Sequence, residues 1–273
     1  MKIIKNIYYC SFLFLLLLSS ATTGKLEALA EENIGKTDGR VEVIGDIPKE
    51  PIDPEIPINP VDPGPGPSTD GDLRFDFVSA FNLGRNKITY EKERLYHVNA
   101  QLFHDGTPAR GNYVQITDQR SGSKGWSLQV RQEHQFQNDV IQKQEEKELR
   151  GAVFSLDNGW ANSPFSAEKA PEVTRDTIEI NEIGITYNVA VATPGSGKGT
   201  WTIEFGASEN NSNGQMNTLF PKTNEDGSAV LDTAFENQQV YGNKAVSLSV
   251  PMTTKLYPVQ YQTVLTWILA ELP

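Results

Sequence analysis

The chain has 273 residues, and its 24 basic and 35 acidic side chains give a formal net charge of −11 at pH 7. This acidic balance argues against nucleic acid as a partner, because such binding relies on cations that neutralise phosphates. It also argues against simple electrostatic attraction to anionic polymers or lipids. Contacts with surfaces of that kind should rest on hydrogen bonds and aromatic side chains instead.

Residues 1–30 are predicted to be an export signal. Lys2 and Lys5 precede an apolar run at residues 7–18, and small residues follow it, as in secretory signals. The run is shorter than the roughly 20 residues that a membrane span needs. The sequence therefore predicts secretion, with cleavage between Ala21 and Ala30, and no transmembrane segment in the mature chain.

The single cysteine, Cys10, lies inside the predicted signal. The mature chain is therefore expected to contain no disulfide and no cysteine metal site. The fold of such an exported protein must be stabilised by an ordinary hydrophobic core, and residues 72–273 are numerous enough to form one.

Residues 31–71 are predicted to be a disordered, acidic, proline-rich linker with 3 basic and 10 acidic side chains. Prolines recur at every third position from Pro48 to Pro63, which matches the three residues per turn of polyproline II. Residues 48–67 would then extend over roughly 60 Å at about 3.1 Å per residue. We expect an extended spacer, with a proline-rich docking ligand as the alternative.

Beyond residue 71 the apolar pattern mostly has a period of two, which is typical of strands. Strands are predicted at residues 73–77, 113–117, 126–131, 152–156, 177–180, 185–192, 200–205, 245–250 and 263–269. The charged stretch 137–149 is the one candidate helix, but an exposed turn or loop is favoured there. The sequence thus predicts a single all-β domain, either a β-sandwich or barrel-like.

The segment from Thr193 to Thr200, with the sequence TPGSGKGT, is similar to the phosphate loop of nucleoside monophosphate kinases. However, Ala192 stands where that motif has its first glycine. A phosphate loop also leads into a helix whose N-terminal amides bind the anion, whereas the residues that follow here alternate like a strand. We therefore predict a hairpin turn between two strands and no nucleotide site.

No other motif points to catalysis. The histidines at positions 97, 104 and 134 lack a second ligand at a metal-site spacing, and there is no nucleophile elbow. The acidic turns at residues 70–72 and 224–227 do not complete a calcium loop. A hydrolytic carboxylate pair stays open in principle, but nothing singles out one pair. The sequence predicts a protein that is not an enzyme and uses no cofactor or metal.

Two Trp-x-Leu pairs carry the most specific signal. Trp126-Ser-Leu128 follows the segment YVQITD at residues 113–118, and Trp267-Ile-Leu269 ends a terminal strand of the form Y-x-T-x-L-T-W-x-L-x-x-x-P. Together they resemble the WxL domain of surface proteins from low-G+C Gram-positive bacteria. The resemblance covers roughly residues 72–273. It implies non-covalent attachment to the cell wall and no catalytic activity.

The resemblance also implies which residues form the binding site. Residues i and i+2 of a strand share a face, so each motif tryptophan lies beside its leucine. The rings either belong to the core or are partly exposed, where they would stack on a glycan or fill a partner's pocket. Asp118 and Arg120, which match a Thr-Asp-x-Arg segment of the family, would fix the turn before the first motif or face the ligand. The candidate binding residues are Trp126, Leu128, Trp267, Leu269, Asp118 and Arg120.

The expected function is that of a secreted cell-surface protein that binds peptidoglycan or a wall-attached polymer. The chain ends at Pro273, directly after the second motif and without a sortase signal, so we expect retention to be non-covalent. The alternative is a protein-interaction module of a surface complex. In that case the terminal strand would dock on a membrane-anchored partner from the same gene cluster, or on a host ligand.

Overall fold

The computed structural model describes residues 49–89, 94–122, 124–165 and 168–273. The predicted export signal and residues 31–48 of the predicted linker lie outside the described residues. Regular structure in the described part is almost entirely antiparallel β-strand around a main core, so the all-β prediction is confirmed. Within these ranges, no helix has the length and apolar character needed to cross a membrane.

Fifteen strands and two short 3₁₀ turns, Gln144–Glu146 and Thr233–Phe235, form the described secondary structure. The strands are β1 (Leu73–Val78), β2 (Arg94–Asn99), β3 (Asn112–Asp118), β4 (Trp126–Gln132), β5 (Val153–Leu156), β6 (Gly159–Asn162), β7 (Glu172–Val173), β8 (Ile178–Ile180), β9 (Thr186–Ala192), β10 (Gly199–Phe205), β11 (Leu219–Pro221), β12 (Leu231–Asp232), β13 (Gln238–Gln239), β14 (Tyr241–Val250) and β15 (Leu265–Glu271).

Three sheets share the core. The first sheet has the strand order β1-β3-β10-β6, and the second has the order β11-β14-β5-β8 with β2 also paired to β14. The third, which we name the motif sheet, has the order β15-β4-β9-β7. Strands β12 and β13 form a separate small pair.

The first sheet and the motif sheet face each other across the core. The ring of Phe205 on β10 lies 6.1 Å from that of Trp267 on β15, centroid to centroid. Phe81 lies 6.3 Å from Trp267 and 5.4 Å from Phe154 of the second sheet. The outer faces of the first sheet and the motif sheet therefore point to opposite sides of the domain.

The outer face of the first sheet is covered by residues 49–71, which we name the strap. Strands β3 and β10 are buried at every position, whereas a sheet with one solvated face shows alternating burial. Val61 of the strap packs with Phe77, Phe103 and Tyr113 in a second apolar cluster. The prediction of an extended, disordered linker is therefore wrong for residues 49–71. The proline pattern reports local conformation, and it carries no information about a surface that the segment can pack on.

The glycine-rich segment does not close a hairpin. Strands β9 and β10 are present as predicted, but β9 belongs to the motif sheet and β10 to the first sheet. The segment between them carries the chain across the core from one sheet to the other. The hairpin prediction is wrong because strand adjacency in sequence does not require pairing when two sheets face each other.

Candidate functional site

The two Trp-x-Leu pairs lie on neighbouring strands. Strands β4 and β15 pair antiparallel, with Leu128 opposite Leu269 and Trp267 opposite Val130. Because alternate residues share a face, both tryptophans and both leucines point to the core side of the motif sheet. The motifs thus form one continuous layer although they are far apart in sequence.

Burial differs between the two motifs. Trp126 and Leu128 are both 0 % exposed, which fits the core interpretation. Trp267 and Leu269 are half-buried and pack against the same core. Of the motif tryptophans and leucines, only those of the second motif therefore retain accessible side-chain surface.

The segment that resembles a phosphate loop packs over Trp126. The indole Nε1 of Trp126 donates a hydrogen bond to the carbonyl of Gly197 at 2.9 Å. Gly197 has a φ of +70°, and a Cβ there would overlap that of Ala192 and lie 2.8 Å from the indole Nε1. This close approach requires glycine at position 197. The resemblance of the segment to a phosphate loop is therefore explained by packing and does not require a bound anion.

Arg120 clamps the turn before the first motif. Its Nε and Nη2 donate to the carboxylate of Asp118 at 2.9 and 2.8 Å, and Asp118 is 1 % exposed. Its Nη1 donates to Glu271 at the end of β15, and Nη2 also donates to the carbonyl of Gly125. The hydrogen bonds to Asp118 raise the pKa of Arg120 above its usual range. Arg120 therefore ties the end of β3 and the motif turn to the terminal strand.

Replacing Arg120 with glutamine should lower the free energy of unfolding by about 1.5–3 kcal/mol, since the buried carboxylate of Asp118 loses its charged donors. Arg131→Gln is the matched control. Its pair with Glu133 is about one third exposed on both sides, and such pairs contribute about 0–1 kcal/mol. Urea denaturation measures both changes, and equal losses would contradict the clamp.

The outward face of the motif sheet carries mainly neutral side chains, some polar and some aliphatic. Its side chains are half-buried or exposed, and the amide of Gln129 donates to Asn188 Oδ1 at 2.7 Å across β4 and β9. The cation on Arg131 is paired with Glu133, and Glu172 adds an exposed carboxylate beside Val191. The face is formed by Ser127, Gln129 and Arg131 of β4, Thr186, Asn188 and Val191 of β9, Thr266, Ile268 and Ala270 of β15, and Glu172 of β7.

The middle residues of the two motifs, Ser127 and Ile268, lie on this outward face. The site predicted from sequence is therefore one layer with two sides. Its inward side holds the motif tryptophans and leucines, and its outward side holds amides and hydroxyls together with the aliphatic side chains of Val191 and Ile268. Sequence reasoning missed Gln129 and Asn188, although the same period-two rule that pairs Trp126 with Leu128 would have placed Gln129 on the opposite face.

Comparison with known proteins identifies the family of the chain. The sequence matches the WxL domain family, described as surface cell wall-binding, over residues 30–273. No curated protein and no solved structure shows significant similarity to the chain. The family match covers the strap as well as both motif strands. With both motifs brought together in one sheet, the chain belongs to the WxL domain family of surface proteins, whose place is the cell wall.

Proposed function

We propose that this protein is secreted and binds peptidoglycan or a wall-attached polymer non-covalently through its motif sheet. The observation that carries the proposal is the two-sided layer of β4 and β15. Trp126 and Leu128 have no accessible surface, so they act from the inside. The outward face of the motif sheet is therefore the surface that is available to contact the wall.

The outward side chains suit a neutral polymer. Gln129, Asn188 and Thr266 offer amide and hydroxyl groups that both donate and accept hydrogen bonds. A glycan offers hydroxyl and amide groups of the same kind, and contact with it needs no net charge. This fits a chain whose overall charge is −11, since an anionic polymer would be repelled rather than attracted.

The predicted site residues receive a positioning role in this proposal. The motif tryptophans and leucines hold two strands in register, and Arg120 with Asp118 fixes the turn and the terminal strand. Trp267 is half-buried, and its ring packs on the core side of the sheet, so it supports the strands from the side opposite the outward face.

The purified chain should co-sediment with protein-stripped cell walls, and about 1 M NaCl should not release it. At that salt concentration the Debye length is about 3 Å, so exposed ionic contacts are screened while neutral hydrogen bonds persist. The measurement is the bound fraction across a salt series. Release by salt would show that attachment is ionic and would refute the neutral-contact proposal.

A second candidate is docking on a membrane-anchored partner protein or a host ligand. Strand β15 is the edge of the motif sheet and, among the described strands, pairs with β4 alone. An unpaired strand edge can accept a further strand from another chain. In the same sedimentation assay, binding that appears only after a partner protein is added would favour this candidate over direct wall binding.

A further inference from the structure

The strap is held to the domain by a buried arginine. The Nε and Nη2 of Arg110, just before β3, donate to the carboxylate of Asp53 at 2.9 and 2.8 Å. Its Nη1 lies 2.8 Å from Glu55 Oε2. All three side chains are at most 5 % exposed. Two acidic residues of the strap therefore share one cation that belongs to the domain.

Hydrogen bonds extend this contact along the strap. The backbone N–H and the hydroxyl of Ser208 donate to Glu55 at 2.5 and 2.6 Å. Gln115 of β3 accepts from the N–H of Ile52 at 2.8 Å and donates to the carbonyl of Glu50 at 3.1 Å. The strap is thus recognised by specific polar groups as well as by apolar contact.

A third carboxylate lies in the same buried region. Glu204 of β10 is 0 % exposed, and its Oε1 accepts the N–H of Gly111 at 2.8 Å. Its Oε2 is buried and has no hydrogen-bond partner in the part of the chain that the structure describes. Burial, and then the charge of Glu55, raises the pKa of Glu204 well above its ordinary value of 4.5.

We propose that Arg110 is a latch with two alternative acidic partners, the strap carboxylates in the docked state and Glu204 in the released state. An arginine stays charged, and a buried cation that loses its partner is strongly destabilising. Glu204 has an oxygen available to replace the strap. Conversely, the docked strap carboxylates bond to Arg110 and repel a negative charge on Glu204, which favours the protonated form of Glu204.

The latch would determine how far the segment N-terminal to the domain can extend away from it. When docked, the strap lies on the outer face of the first sheet, on the side opposite the outward face of the motif sheet. Release would free residues 49–71, which extend over roughly 70 Å at about 3.1 Å per residue. The change of reach above a wall rests on the proposed function, whereas the latch itself does not.

Rising pH is expected to release the strap. Because the pKa of Glu204 is raised in the folded chain, docking is favoured while Glu204 is protonated and the strap carboxylates are ionised, and it weakens as pH climbs through the raised value. The charged and titratable groups around Glu204 are Arg110, Asp53 and Glu55, together with the buried hydroxyl of Tyr113. Ionised Glu204 would compete with the two strap carboxylates for one guanidinium.

Hydrogen–deuterium exchange on the full chain tests the latch, read at the amides of residues 52–61 and corrected for intrinsic rates. In the parent, exchange there should rise about tenfold as pH is raised stepwise from neutral to alkaline, while core strands stay protected. Glu204→Gln, which mimics the protonated form, should remove this rise. Arg110→Gln should give fast strap exchange at every pH.

Three outcomes would overturn the proposal. They are a pH-independent strap in the parent, a strap in Glu204→Gln that still loosens with pH, and a strap in Arg110→Gln that stays protected. The exchange measurements on the parent and on Glu204→Gln are sufficient to test the latch even if Arg110→Gln does not fold. Wall sedimentation is a separate readout, so failure of the latch and failure of the proposed function are distinguishable.

Discussion

Replacing Trp126 with alanine should lower the free energy of unfolding by about 3–5 kcal/mol, because a fully buried aromatic ring leaves a cavity that its neighbours fill only partly. The ring is 0 % exposed, and its Nε1 is bonded to Gly197. The loss of this hydrogen bond would leave a buried carbonyl unpaired. Chemical denaturation monitored by fluorescence and circular dichroism measures the change.

Trp267→Ala provides the matched comparison for this prediction. It removes the same side chain from the paired strand of the other motif, at a half-buried position. Its loss of stability should be smaller, since less apolar area is removed from the core. A Trp126→Ala variant that keeps the parent's stability yet no longer binds walls would contradict the buried role assigned to Trp126.

Replacing Gly197 with alanine should also be strongly destabilising. The φ of +70° is unfavourable for a residue with a Cβ by about 1–2 kcal/mol. The added methyl group would also overlap Ala192 and press on the indole of Trp126, and overpacking of this kind typically destabilises by about 1–3 kcal/mol. The two effects act together, and denaturant titration measures their sum.

Gly195→Ala is the control for Gly197→Ala. Gly195 has a φ of +89°, but a Cβ there would meet nothing within 4 Å. It should show the conformational effect alone. Equal losses at the two glycines would mean that the segment does not pack on Trp126. Phosphate or nucleotide should stabilise neither variant, because the segment leads into a strand and not into a helix.

Period-two patterning predicted the individual strands well but not their partners. The stretches 126–131 and 263–269 correspond to β4 and β15. Their pairing depends on register between distant segments, which the hydrophobic pattern fixes only once the core face is known. Short strands such as β6 (Gly159–Asn162) were missed because four residues beginning with glycine give no clear alternation.

The strap was the largest error, and its cause is physical. Every third residue from Pro48 to Pro63 is proline, and that pattern correctly excludes helix and central strand. It cannot reveal that Arg110, far along the chain, offers a buried counter-charge to Asp53 and Glu55. From sequence alone, acidic residues in such a segment indicate solvent exposure, because the buried cation that pairs with them can be seen only in the folded structure.

The sequence predicted which motif residues share a face of the strand, but not which face points to the core. That Trp126 shares a face with Leu128 follows from strand geometry. Which face points inward does not follow, because a large apolar pair suits both a core and an exposed binding surface. Gln129 and Asn188 carry no motif signal, and only the register between β4 and β9 brings them together.

The most direct test of the account is wall sedimentation of the full chain carrying Gln129→Ala together with Asn188→Ala. Gln142→Ala is the control, because it removes an amide from an exposed loop outside the strands of this sheet. The account predicts that the double variant keeps the parent's melting temperature but binds walls about tenfold more weakly, as the loss of two hydrogen-bonding side chains implies, while the control binds normally. A folded double variant that sediments as fully as the parent would contradict the claim that the outward face of the motif sheet makes the contact.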